Sequence, residues 1–288
     1  MNELDVDKIA TSLAKDGFYK IDNFLAKDQI EKILSDVSLG FSINSNNVGP
    51  VDFYGQTFFS NVLAHSRSIF NLISSKFVFD LSRRYLGSSF RLKCQRYYES
   101  GFKYQLYWHT DNQTVDGRFT DVRGLVFIIY LCDTFEGYLE VIEGSNIWSS
   151  TQNKNRFTDE EIEKNYSQDL RPLPGKAGTL VITDTQTIHH THLISSPNFR
   201  RKSLFFQVDD DVLHSESMII NPEFFSDRSN EVLDFFGFGK PSGYNRVPQT
   251  SIITTKNRYL INLLLEVIAE LTKRIFFLRQ IKKFLKNG

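Results

Sequence analysis

Apolar residues along the first third of the chain recur every three to four positions, and this spacing predicts amphipathic helices over Asp5 to Ala14 and Ala26 to Val37. A short β-rich run, Phe18 to Ile21, lies between them, and a longer helix is expected over Ile69 to Leu86, ended by Gly87. Beyond that point the period shortens to two. Leu92 to Tyr98, Leu125 to Leu131, Tyr138 to Ile142, Thr179 to Thr183 and Lys202 to Val208 are β-branched and aromatic runs separated by turn residues. The order predicts a mainly β protein with flanking helices, its strands forming an antiparallel barrel of two sheets. Residues 149–177 interrupt the strands with a polar insertion whose TDEEIEKNY segment reads as a short helix; an insertion of that length is usually functional.

The end of the chain follows another pattern. After PSGYNRVPQT (241–250), which reads as a connecting loop, Ile261, Leu264, Ile268, Leu271, Ile275, Leu278, Ile281 and Leu285 form a helical stripe. We therefore divide the chain into a barrel domain over 1–250 and a basic amphipathic helix over 251–288. From Lys256 onward eight Lys/Arg stand against two Glu, a net +6, so the remaining residues sum to −6 under a formal net charge of zero. Glu266, Glu270 and the basic run exclude a plain spanning helix. Such a face suits peripheral attachment to an anionic membrane through 256–288, or docking on the barrel or on a second subunit.

Composition narrows the class. At 288 residues and 41% hydrophobic, the chain can bury one sizeable core. Two cysteines, Cys94 and Cys132, are too few for a disulfide framework, and no secretory leader opens the sequence, so a reducing, cytoplasmic setting is expected, at the inner face of the membrane if the tail binds there. Zero net charge and the lack of a basic, aromatic-interleaved stripe in the barrel region argue against nucleic acid as a partner.

Candidate chemistry is concentrated in a few residues. His109 and Asp111, two apart, share one strand face, and His189 follows far downstream. Two histidines and one carboxylate can occupy one face of an octahedral Fe(II) and leave three positions open for a cosubstrate and O2. Arg201, about a dozen residues past His189, with Ser203 on its strand face, suits a buried carboxylate such as that of 2-oxoglutarate. His190 and His192 compete with His189, and Arg200 with Arg201. Two further cosubstrate contacts are expected: Gln95, which with Lys93 would face the barrel interior, and Thr191, two past His189. Trp108, Tyr97, Tyr98 and Tyr107 are expected to pack the barrel mouth.

YWHTDN (107–112), EGYLEVIEGSN (136–146), GTLVITDTQTIH (178–189) and RKS (201–203), in that order, resemble the signature runs of the phytanoyl-CoA dioxygenase family, and KDGFYKIDNFLAKDQIEKIL (15–34) resembles that family's opening. The resemblance covers roughly residues 10–210. It implies a double-stranded β-helix of jelly-roll or cupin type. It also implies Fe(II) held by His109, Asp111 and His189, and 2-oxoglutarate held by Arg201 and Ser203. The implied reaction decarboxylates 2-oxoglutarate to succinate and CO2 with O2 and hydroxylates an unactivated C–H bond. Halogenating relatives have a small residue where Asp111 stands, so hydroxylation is expected. The substrate implied is a small molecule or a lipid- or glycan-linked one, such as the envelope sugar Kdo, with no catalytic residue beyond the metal ligands. A relative that only senses 2-oxoglutarate or metal, or that serves assembly, is the alternative, and iron-dependent succinate release separates the two.

Overall fold

A computed structural model describes residues 4–42, 51–53, 55–112, 122–148, 156–210, 215–216, 218–226 and 228–238. The expected C-terminal helix lies outside the described residues. Helix α1 (Val6–Asp16) starts where the Asp5 carboxylate accepts from Lys8 N at 2.9 Å and stops at Gly17, whose φ of 84° leads the chain directly into β1 (Phe18–Ile21). Helix α2 (Lys27–Ser42) and the strands β2 (Val51–Phe53) and β3 (Gln56–Phe59) follow.

The helix expected over Ile69 to Leu86 is two helices, α3 (Arg67–Ile73) and α4 (Lys76–Leu86). The break falls at Ser74 and Ser75, which hydrophobic periodicity does not register. Ser74 Oγ donates back to Phe70 O at 2.8 Å and Ser75 Oγ accepts from Val78 N, so one serine closes a helix and the next opens another.

The barrel strands are β4 (Arg91–Ser100), β5 (Leu106–His109), β6 (Gly124–Tyr130), β7 (Thr134–Ile142), β8 (Arg156–Phe157), β9 (Leu170–Gly175), β10 (Leu180–Asp184), β11 (His189–Thr191) and β12 (Arg201–Asp209). Helix α5 (Asp159–Tyr166) lies in the insertion and α6 (Asn230–Phe235) follows the barrel. All pairings are antiparallel. A seven-stranded sheet runs β1-β10-β6-β12-β4-β3-β2 and a five-stranded sheet β8-β5-β11-β7-β9. The insertion thus supplies both edges of the smaller sheet. Strand β9 carries Pro172 and Pro174, which an edge tolerates because one side needs no donor.

Alternation along β6 separates two cores. Leu125, Phe127 and Ile129 face the helices with Ile9, Leu13, Ile69 and Phe70; Val126, Ile128 and Tyr130 face the barrel interior with Leu139, Val141 and Leu173. Each fully buried aliphatic or aromatic side chain contributes about 1.5–3 kcal/mol, so the helix layer is a principal support of the large sheet. No described helix is long and apolar enough to cross a membrane.

Candidate metal and cosubstrate site

Strand pairing brings the two histidines together. His189 on β11 lies directly opposite His109 on β5, and also opposite Val141, whose side chain is in the interior core; both imidazoles therefore point inward, with ring centroids 4.3 Å apart. Asp111 continues the same face beyond β5, where its backbone N–H donates to Thr185 O at 2.8 Å. The Asp111 carboxylate sits 3.7 Å from His109 Nε2 and 3.3 Å from His189 Nε2. One ligand atom from each of the three residues can be chosen so that all lie within 4.8 Å of one another.

The tautomers suit a metal. His109 Nδ1 lies 2.8 Å from Tyr107 O and His189 Nδ1 lies 2.9 Å from Thr187 O, each a carbonyl two residues back. A carbonyl only accepts, so Nδ1 carries the proton in both rings and Nε2 presents its lone pair toward Asp111. A carboxylate facing both Nε2 atoms is stabilised by a positive charge between them, a metal ion or a proton on His189. Burial opposes a charge on His189, but the Asp111 carboxylate outweighs it and raises the imidazole above its usual range. Burial, and then the neighbouring His189, push His109 down to about 4. Burial would raise Asp111, yet the two histidines and Arg96 hold it well below the usual carboxylate range. The donor set therefore fits a divalent cation of intermediate hardness, as Fe(II) is.

The other two histidines face away. His190 stacks on Trp108 at 3.7 Å between centroids and places Nε2 2.5 Å from Glu140 Oε2; His192 stacks on Tyr138 and reaches the same oxygen through Nδ1 at 3.1 Å. Glu140, which sequence reading passed over, thus occupies both on the outer face of the small sheet. Trp108 and Tyr97 are buried in packing clusters, whereas Tyr107 is half-exposed beside His109.

Farther along the interior, Arg201 pairs across β12 with Ser100, and Ser203 pairs with Tyr98 and Tyr130. Both are buried. Arg201 Nη1 donates to Gly137 O at 2.5 Å, while Arg201 Nε and Ser203 Oγ are buried without a hydrogen-bond partner among the described residues. Two unpaired donors on one inward face form a cradle that a carboxylate would complete. Gly137, at φ 65°, gives room: a Cβ there would come within 3.6 Å of Arg201 Cδ and 2.7 Å of Ile194 Cγ1. Tyr104 and Gln56 border this end, the Tyr104 hydroxyl donating to Gln56 Oε1 at 3.2 Å and Gln56 Nε2 to Ser100 Oγ at 2.6 Å. Arg200 is exposed, outside the barrel. Thr191 is buried on the face of His189, opposite Leu139.

Gln95 is corrected. It pairs with Phe206, which packs in the helix-side core, so its side chain leaves the barrel and donates to the Ser60 carbonyl. The cause is a β-bulge. Leu92 opposes Val208 while Cys94 opposes Gln207, so Lys93 is an extra residue and every later side chain on β4 changes face. Arg96, not Gln95, faces inward, where it pairs with Glu216 and lies 5.5 Å from the Phe205 ring. Lys93 at the bulge pairs with buried Asp209 at 2.7 Å; Gln207 Nε2 donates to Asp209 Oδ1 at 2.8 Å and to Asp111 O at 3.4 Å, bracing the loop that carries the carboxylate ligand.

The model of the phytanoyl-CoA dioxygenase family matches residues 13–202. No curated protein matches the chain in sequence. Among solved structures, the non-heme α-ketoglutarate-dependent epimerase SnoN from nogalamycin biosynthesis superposes with a TM-score of 0.57 at 15% identity, over 85% of this chain and 93% of that one. HygX from Streptomyces hygroscopicus, solved with nickel, 2-oxoglutarate and hygromycin B, gives 0.57 at 13% identity over 85% and 98%. EctD from S. alaskensis, solved with 2-oxoglutarate and 5-hydroxyectoine, gives 0.56 at 16% identity over 73% and 78%. At these identities the likeness is one of fold.

Proposed function

The chain belongs to the phytanoyl-CoA dioxygenase family of Fe(II)- and 2-oxoglutarate-dependent oxygenases, and from that premise we propose that it hydroxylates an unactivated C–H bond of a small or a lipid- or glycan-linked substrate. The observation that carries this reading is the convergence of His109, Asp111 and His189 in the same barrel interior as buried donors on Arg201 and Ser203 that have no partner among the described residues. His109 and His189 would hold iron through Nε2 and Asp111 through its carboxylate. Arg201 and Ser203 would grip the far carboxylate of 2-oxoglutarate, with Thr191 bordering it. Bound iron would let O2 oxidise both partners, one oxygen atom entering 2-oxoglutarate as it is decarboxylated to succinate and CO2 and the other entering the substrate C–H bond as hydroxyl.

The protein's own contribution is orientation and a dry site. Carbonyls of Tyr107 and Thr187 keep the imidazole protons on Nδ1, and Gln207 braces the Asp111 backbone. Because Asp111 supplies a carboxylate where a halide would need a free position, hydroxylation is favoured over halogenation. Sugar acids such as Kdo enter as the lipid-linked candidate through the basic amphipathic pattern of 256–288, which suits the inner face of an anionic membrane.

The test is iron-dependent release of succinate from 2-oxoglutarate by the full chain, followed by mass spectrometry of any accepted substrate in the presence of chloride. A product heavier by one oxygen is expected. Binding of iron and 2-oxoglutarate without succinate release would instead support a sensor, and a chlorinated product would overturn the ligand assignment.

A further inference from the structure

We propose that Arg156, presented by the insertion, is a specificity-determining residue that receives an oxyanion of the substrate, a phosphate or a carboxylate, at the edge of the metal site. Strand β8 pairs with β5 so that Phe157 opposes Trp108 and Arg156 opposes His109. Phe157 and Trp108 pack together on the outer face of the small sheet, so Arg156 and His109 share the inner one. Directly opposed side chains start with Cβ atoms about 5 Å apart. The insertion therefore places a cation one residue pair from a proposed metal ligand.

That cation is positioned and available. Its guanidinium carbon lies 4.5 Å from the centre of the Tyr107 ring, whose centroid is 5.4 Å from that of His109. Contact with a ring face leaves the N–H donors at the guanidinium edge, where a planar fork can grip an oxyanion. Arg156 is exposed, and among the described residues no carboxylate pairs with it. The segment that follows is anchored: Trp108 Nε1 donates to Asp159 Oδ1 at 3.0 Å, and Thr158 and Glu161 form a reciprocal capping box.

The inference rests on the proposed metal and 2-oxoglutarate site, and the experiment separates the two. The full chain is loaded with Mn(II) and saturating 2-oxoglutarate, so that the Arg201 cradle is occupied, and loading is checked by electron paramagnetic resonance. Relaxation of inorganic phosphate (31P) and of acetate (13C) by the bound ion is then measured. In the loaded protein, Arg156→Gln is expected to weaken the affinity of at least one of these anions about tenfold, as for loss of one charge-assisted contact, whereas Arg200→Gln leaves it unchanged. The responding arm identifies the oxyanion. Equal relaxation in Arg156→Gln and the unaltered protein, or equal loss in both variants, overturns the role of Arg156. Failure of Mn(II) to load, or loading that survives His189→Ala, overturns the metal site itself.

Discussion

Arg201 is a buried cation that, among the described residues, hydrogen-bonds to Gly137 O and leaves Nε without a partner, an arrangement that favours binding over folding. Replacing it with Met keeps the apolar stem and removes the charge. A charge-assisted contact to a buried carboxylate is worth about 2–5 kcal/mol, so 2-oxoglutarate should bind at least about 30-fold more weakly. Stability should move the other way or not at all. The lost hydrogen bond accounts for about 1.5–3 kcal/mol, whereas relieving a buried charge returns several. Because 1 kcal/mol corresponds to about 2–4 °C at this chain length, the apo Tm should hold or rise by a few degrees. Anaerobic titration of the Fe(II) protein with 2-oxoglutarate, read by its visible charge-transfer band, gives the affinity, and calorimetry gives Tm. Ser203→Ala should cost less, about tenfold, and Arg200→Met almost nothing. Unchanged affinity with a fall in Tm of about 10 °C in Arg201→Met would show that the guanidinium is structural and refute the assignment.

Alanine at His109, Asp111 or His189 should each abolish Fe(II)-dependent succinate release while Tm is retained; His190→Ala should keep metal binding, since its partner is Glu140, and loss of metal only in that variant would mean that the wrong histidine was chosen. At pH 8 a thiol reagent should label Cys132 in the native protein and spare Cys94, whose thiol burial pushes up to about 12, with both labelled in denaturant; rapid native labelling of both would place Cys94 outside the core. Salt-sensitive binding of the full chain to anionic liposomes, absent for neutral ones and lost on truncation near Thr255, is expected from the +6 tail. A truncation that instead loses an oligomer would make the tail a packing element.

Much of this protein is written locally. The i, i+2 spacing of His109 and Asp111 sets their common direction because side chains on extended backbone alternate, and the same rule pairs Arg201 with Ser203. The TDEEIEKNY helix is legible because its capping box spans only Thr158 to Glu161. Local period also located the β-rich runs, since a half-buried strand must alternate between two environments.

Tertiary structure decided what depends on partners distant in sequence. Gln95 was expected inside the barrel because strict alternation from Leu92 puts it there; the bulge at Lys93 shows only when β4 pairs with β12, and one extra residue reverses the face of all that follow. Helices α3 and α4 part because two serine hydroxyls engage the backbone, which apolar spacing does not encode. Glu140 could not be assigned to His190 and His192 from a separation of 50 residues and more, and Arg156 stands opposite His109 only because an insertion returns to pair at the sheet edge. Short-range alternation determines which way a side chain points; strand pairing determines what it meets there.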